Sequence, residues 1–306
     1  EKAAKLNNDE ALNMLGLIYD AEGINKDSKK AFEYFERSAK MNNHRAQLNL
    51  ASKYLNGNGV AKDYTKAKMY FELASQENDP LSLYNLGLIY LNGLNVEKDL
   101  EKAKHYFELA AQQNHPYVLF LLGNTYLNEK EIPYNIPLAI KYFILSAQQN
   151  NSDACLALGN IFSQGQFVNK DIQKAKQYFE KAAQLNHPDA YRRIGLMYFI
   201  NQDYFKARYY FELAARNNNN SDALFSLGAL YAYGLGVQKD MSKSIECFEQ
   251  SAKLHNLNAL VILGQHYHSL KNYEKAKDFY EEAASYKNPF AFLCLGNMYF
   301  YGEGVS

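Results

Sequence analysis

Ala223-Leu-Phe-Ser-Leu-Gly228-Ala-Leu-Tyr231-Ala-Tyr-Gly234-Leu-Gly236-Val237-Gln-Lys-Asp240 is the stretch from which the fold can be read. Ala223, Leu227, Gly228 and Tyr231 fall at helical spacing and share one stripe. Glycine inside a helix costs about 1 kcal/mol relative to alanine, so Gly228 implies close approach of a neighbouring helix. Gly234 and Gly236 interrupt the helix with a turn, and Asp240 is a residue type that opens a second helix by capping its amide groups.

Outward from this stretch, the same unit recurs along the chain. The Leu-Gly pair returns at Gly16, Ala51 (after Leu50), Gly87, Gly123, Gly159, Gly195, Gly264 and Gly296, in steps of 32 to 36 residues. That is the period of helix-pair repeat arrays. A second helix follows in each unit, marked by a small residue (Ala31, Ala67, Ala103, Ala139, Ala175, Ala207, Ser244, Ala276) and then an aromatic pair such as Tyr70-Phe71. In one unit the pair reads Cys247-Phe248. Four residues before each small residue stands Asp27, Asp63, Asp99, Asn135, Asp171, Asp203, Asp240 or Asn272, the expected N-caps. Asn7, Asn42, Asn78, Asn114, Asn150, Asn186 and Asn218 stand where a left-handed residue closes a second helix. His255 and Lys287 break that series, so the last two junctions are expected to differ. The pattern predicts an all-α fold: a right-handed superhelical α/α solenoid of about eight to nine helix pairs, one domain over residues 1–306.

The inner loops Tyr54-Leu-Asn-Gly57-Asn-Gly59-Val60-Ala-Lys-Asp63 and Tyr231 to Asp240 share the pattern aromatic, x, x, Gly, x, Gly, Val, x, x, Asp. This resembles the Sel-one-like repeat, a relative of the tetratricopeptide repeat with a longer loop between its helices, and the resemblance covers nearly the whole chain. Tyr126 to Asn135 has lost both glycines and gained Pro133, and Phe162 to Asp171 has Phe167 at the second. The units of Gly195 and Gly264 have short loops and look like plain tetratricopeptide repeats. The start, Glu1-Lys2-Ala3-Ala4-Lys5-Leu6-Asn7, matches Glu180 to Asn186, the tail of a second helix, and the end at Gly302-Glu-Gly304-Val305 precedes one. The chain is therefore read as a fragment that begins and stops inside repeats.

Several function classes are disfavoured. Lys+Arg 33 against Asp+Glu 33 gives zero formal charge, which argues against a nucleic-acid or anionic-membrane partner. No apolar run reaches the 18 or so residues that membrane insertion needs. Cys155, Cys247 and Cys294 are too far apart for a CxxC metal site and too few for an even disulfide framework, so the cytosol is the default compartment. Two sequons, Asn150-Asn151-Ser152 and Asn219-Asn220-Ser221, leave the endoplasmic-reticulum lumen open, although so Asn-rich a chain produces them by chance. No catalytic motif is present, and the Gly-x-Gly pieces follow no strand, so they read as turns. His266 and His268, two apart on one helix, do not share a face for a metal. No catalytic residue, metal or cofactor is expected.

Binding is expected on the first helices of the units, at positions that packing leaves over: three before the Gly and one, four and five after it. Tyr84, Phe120, Arg192 and Phe225 stand three before; Asn124 and Asn160 stand one after; Phe199 and Tyr233 stand four and five after. Rings supply area, amides meet backbone groups and Arg meets a carboxylate, the components of a peptide groove. Replacing Tyr84, Phe120 and Phe225 together is expected to spare folding and abolish capture. The expected function is a non-catalytic adaptor that holds a partner protein or extended peptide. What the resemblance implies is assembly of complexes such as membrane-bound ubiquitin ligases, signalling assemblies or bacterial effectors meeting host proteins. The alternative is a regulatory arm of a larger enzyme whose catalytic domain lies outside this chain.

Overall fold

A computed structural model describes residues 8–23, 26–128, 135–218 and 220–304. The expected helix tail at residues 1–7, and Pro133, Asn219 and Val305, lie outside the described residues. Seventeen helices and no strand occur among the described residues, a helical repeat solenoid. Two compact units divide the chain, Glu1–Ala154 and Cys155–Ser306.

The first unit holds α1 (Asp9–Asp20), α2 (Ser28–Ala39), α3 (His44–Asn56), α4 (Tyr64–Ser75), α5 (Pro80–Asn92), α6 (Leu100–Gln112), α7 (Pro116–Asn128) and α8 (Ile136–Gln148). The boundary between units falls in α9 (Ser152–Gln164). In the second unit follow α10 (Ile172–Gln184), α11 (Ala190–Ile200), α12 (Tyr204–Asn218), α13 (Ser221–Tyr233), α14 (Met241–Lys253), α15 (Leu257–Ser269), α16 (Tyr273–Ser285) and α17 (Pro289–Tyr301). Odd-numbered helices are the first of each repeat and even-numbered helices the second.

Each repeated glycine from Gly16 to Gly264 lies against an aromatic ring of its own repeat's second helix. A Cβ on Gly123, Gly195 or Gly228 would stand within 2.7 Å of Phe143, Phe211 or Phe248. The ring occupies the space a side chain would need, which explains a glycine in mid-helix. Most of those rings are among the largest fully buried side chains of their units: Phe35, Phe107 and Phe143 in the first and Phe179 and Phe211 in the second. Beside them, the aromatic three after the Gly stacks on the other ring of the pair: Tyr90 on Tyr106 at 5.7 Å, Tyr198 on Tyr210 at 5.5 Å. Such pairs add about 0.5–1.5 kcal/mol beyond their buried area.

The expected N-caps are all present. Asp27, Asp63, Asp99, Asn135, Asp171, Asp203, Asp240 and Asn272 each accept the amide hydrogen three residues on, at distances from 2.9 to 3.3 Å. In most repeats the donor residue is a lysine whose ammonium also reaches an aromatic of the first helix. Lys66 lies 5.1 Å from the Tyr54 ring centre and Lys275 4.9 Å from that of Tyr267. A second set of caps, unforeseen, opens the first helices: Asn43, Asp79, Asn151, Asn220, Asn256 and Asn288.

Asn42, Asn78, Asn114, Asn150 and Asn186 are left-handed, as expected. His255 (φ 58°) and Lys287 (φ 61°) take the same conformation, so these two junctions do not differ in backbone although they lack the residue type that suits it. Asn218 is instead the last residue of α12. In the loop after α13, Gly234 ends the helix left-handed and Gly236 (φ 65°) comes so near the preceding repeat that a Cβ would be 2.7 Å from the Tyr204 carbonyl carbon. The second loop glycine therefore seats one repeat on the start of the previous second helix.

Candidate functional site

The residues three before the glycine share the ring that the glycine faces. Tyr84 leans on Phe107 (centroids 5.7 Å apart), Phe120 on Phe143 (6.0 Å) and Phe225 on Phe248 (5.4 Å). Tyr84 is only 9% exposed, and its hydroxyl pairs with Thr125 Oγ1 at 3.1 Å. The expectation that Tyr84 lines an open groove is therefore corrected: the neighbouring first helix, α7, closes over it. Phe120 and Phe225 are half-buried, so replacing all three rings removes core contacts as well as surface.

Arg192 is also committed within the protein. Its Nε donates to Asp189 Oδ1 at 2.5 Å and Nη2 to Oδ2 at 2.9 Å, and Asp222 lies 3.8 Å from Nη1. Only 16% of its side chain is exposed. Burial alone would raise the Asp189 carboxyl, but the two guanidinium groups of Arg192 and Arg193 hold it below the usual carboxylate range. Drawn to these arginines, Asp189 makes no capping bond to α11. Asn124 and Asn160 are half-buried on α7 and α9, and no hydrogen bond engages their side-chain amides among the described residues. Phe199 is half-buried with its ring edge-on to Tyr204 at 5.4 Å, and Tyr233 is 77% exposed at the end of α13.

The three cysteines are free thiols. Burial pushes Cys247 up to about 11 and raises Cys155 and Cys294, so all are protonated near neutrality. Cys247 occupies the sequence position at which other repeats place the stacking ring, such as Tyr106 or Tyr210. Among the described residues no His/Cys/Asp/Glu group is placed to hold a metal. No helix among them is long and apolar enough to cross a membrane.

The Sel1 repeat matches residues 9–43, 44–79, 80–115, 116–151, 152–187, 188–219, 221–256 and 294–306. The chain belongs to the Sel1 repeat family. A tetratricopeptide repeat matches residues 257–289. Of the two short-loop units, the one of Gly264 is thus the tetratricopeptide type, while that of Gly195 remains a Sel1 repeat. A Sel1 repeat protein from Oxalobacter formigenes is 25% identical, with a TM-score of 0.72 over 96% of this chain and 88% of that one. The protective antigen c5321 of uropathogenic Escherichia coli, described as having an SLR fold, is also 25% identical, with a TM-score of 0.55 over 100% of this chain and 75% of that one. The ERAD-associated E3 ubiquitin-protein ligase component HRD3B of Arabidopsis thaliana is 33% identical over 87 residues, which are 28% of this chain and 14% of that protein's length.

Within the Sel1 units, sequence reasoning missed Ile200, 72% exposed five residues after Gly195, and Arg193, which lines a cleft with Asn160, Ser163 and Gln164 of α9. The five-after position that singled out Tyr233 identifies Ile200 too. Arg193 carried no signal in the repeat pattern, because its placement depends on Asp189.

Proposed function

We propose that this Sel1 array is a non-catalytic interaction scaffold that holds a partner protein or an extended segment of one along its first helices. The observation that carries this reading is a set of side chains left over by packing on those helices: Asn124 in the first unit, and Asn160, Phe199 and Tyr233 in the second. Amides without internal partners among the described residues can meet a peptide backbone, and the exposed ring of Tyr233 with the outer edge of half-buried Phe199 supplies contact area at little entropic cost. Sel1 and tetratricopeptide scaffolds are as a class protein-binding, and HRD3B is named as a component of a ligase complex. The same likeness supports a second reading, an arm that recruits substrates or partners to an enzyme, which places binding on the same surface. Zero net charge supports a protein partner over a nucleic acid. Three unpaired thiols support a reducing compartment such as the cytosol.

The test is affinity capture from a lysate of the source organism with the wild-type chain beside an Asn124→Ala/Phe199→Ala/Tyr233→Ser variant. Circular dichroism is used to verify that the variant is folded. Partners lost with the folded variant are expected; partners retained in full would sink the reading.

A further inference from the structure

One cleft in the second unit differs from its surroundings in charge. It opens between α9 and α11, beside the turn into α10, with a volume of about 200 Å³. The buried ring of Phe179 forms its base, Leu196 and Met197 form an apolar wall, and Ile200 stands at the rim. Its cations are Lys170 and Arg193, and no Asp or Glu lines it, although the whole chain has equal numbers of both signs.

The cations are available for a ligand. Lys170 has no ion pair among the described residues. The adjacent Asp171 is spent on α10, accepting the Lys174 amide at 2.9 Å with the Lys174 ammonium 3.7 Å away. Among the described residues Arg193 donates Nε to Asp189, at 2.9 Å, and no hydrogen bond engages its terminal nitrogens. Asn160, on the opposite wall, keeps its amide unengaged.

The cleft combines a repeated turn with departures from the repeat. Left-handed Gly165 lets the chain fold back so closely that a Cβ there would be 2.7 Å from the Lys170 Cβ, the turn that also sets Lys98 against Gly93 and Lys239 against Gly234. The second loop glycine is replaced by Phe167. α11 starts late, at Ala190: His187 stands where Asn151 and Asn220 cap the neighbouring first helices, and Asp189, which binds two arginines, makes no capping bond.

We propose that the cleft between α9 and α11 anchors an acidic peptide segment of a partner protein, with an Asp or Glu carboxylate between Lys170 and Arg193 and an adjacent apolar side chain on Leu196, Met197 and Ile200. This rests on the scaffold reading above and names the chemistry of its ligand. The apolar wall supplies burial, and the two cations supply selection: a basic segment would be repelled, and a neutral one would gain nothing from Lys170 or from the terminal nitrogens of Arg193. Because the cations are partly solvated, salt weakens the interaction.

The experiment pans a random linear-peptide display library on the whole chain. Selected peptides are expected to carry Asp or Glu within two residues of Leu, Ile, Met or Phe. A synthetic representative, followed by fluorescence anisotropy, should bind about tenfold more weakly to Lys170→Glu and to Ile200→Glu. It should also weaken with added salt and when its own carboxylate becomes an amide. Both positions are exposed, so the variants keep the wild-type melting curve, which is measured alongside. Selected peptides without acids, equal binding by both variants, or no selected peptide at all would each overturn the proposal. In lysate capture, partners kept by Lys170→Glu but lost with the Asn124/Phe199/Tyr233 variant would remove the anchor and leave the scaffold standing. Partners kept by both would remove both.

Discussion

Phe225 on α13 rests on Phe248 of α14 with ring centroids 5.4 Å apart, and the same Phe248 ring stands 2.6 Å from where a Cβ on Gly228 would be. One second-helix ring thus serves as the floor under two first-helix positions, one read as core and one read as groove. The same triangle occurs at Gly123, Phe120 and Phe143. Mutations at the two positions therefore share a cost.

Gly228→Leu should destabilise by about 1–3 kcal/mol or more by overpacking against Phe248. Gly228→Ala should cost less, since Ala51 shows that one repeat accommodates a methyl group beside its second helix. Gly296 is the internal control: nothing lies within 4 Å of its Cβ position, so Gly296→Ala should be neutral or stabilise by about 0.5–1 kcal/mol through helix propensity. Chemical denaturation of the three variants measures this, and equal effects at Gly228 and Gly296 would contradict the contact.

Tyr84→Phe removes a buried hydroxyl pair with Thr125 and should cost about 1 kcal/mol, with Thr125 left to its bond to the Leu121 carbonyl. Tyr84→Ser empties the space beside Phe107 and should cost about 3–5 kcal/mol. Tyr233→Ser, at a side chain mostly in solvent, should change stability by no more than about 0.5 kcal/mol. Thermal melts that rank these three differently would argue against the burial described.

Acid should weaken the fold through its capping aspartates. Bonds from the Lys30 and Lys102 amides hold Asp27 and Asp99 below the usual carboxylate range, and the Lys206 side chain does the same for Asp203. A carboxylate lowered in the folded state stabilises fully above its unfolded value near 3.8, and that stability is lost as pH falls through the lower folded value. Denaturation midpoints should therefore drop from about pH 4 downward. The Asp27→Asn/Asp99→Asn/Asp203→Asn variant keeps capping oxygens but cannot titrate, so its acid slope should be shallower.

Lys287→Asn should raise stability by a few tenths to about 1 kcal/mol, because Lys287 holds φ 61° where five other junctions use asparagine. A lowered melting temperature would show that Lys287 makes a contact worth more than its backbone cost.

The repeat period, the glycine contacts, the N-caps and the left-handed asparagines were legible without coordinates because each is a local rule. Capping depends on residues three apart, a left-handed turn on one residue, and the glycine on one ring within the same helix pair. Recurrence then multiplies a weak signal into a clear one. The backbone at His255 and Lys287 shows the limit of that logic: the fold imposes the turn even where the residue disfavours it, because packing on either side outweighs a local preference.

The candidate site was legible only as a set of positions. Sequence by itself determined the core stripe of each first helix, which follows from helical period, but it read the position three before the glycine as free of that stripe, whereas Tyr84, Phe120 and Phe225 rest on core rings there. Tertiary structure decided which of those residues are still available: α7 closes over Tyr84, Asp189 engages Arg192, and Arg193 of the next repeat lines one cleft with Lys170 beside α9. The physical reason is that a side chain's availability depends on what neighbouring helices, tens of residues away in the chain, place against it, and no spacing within a single repeat records that.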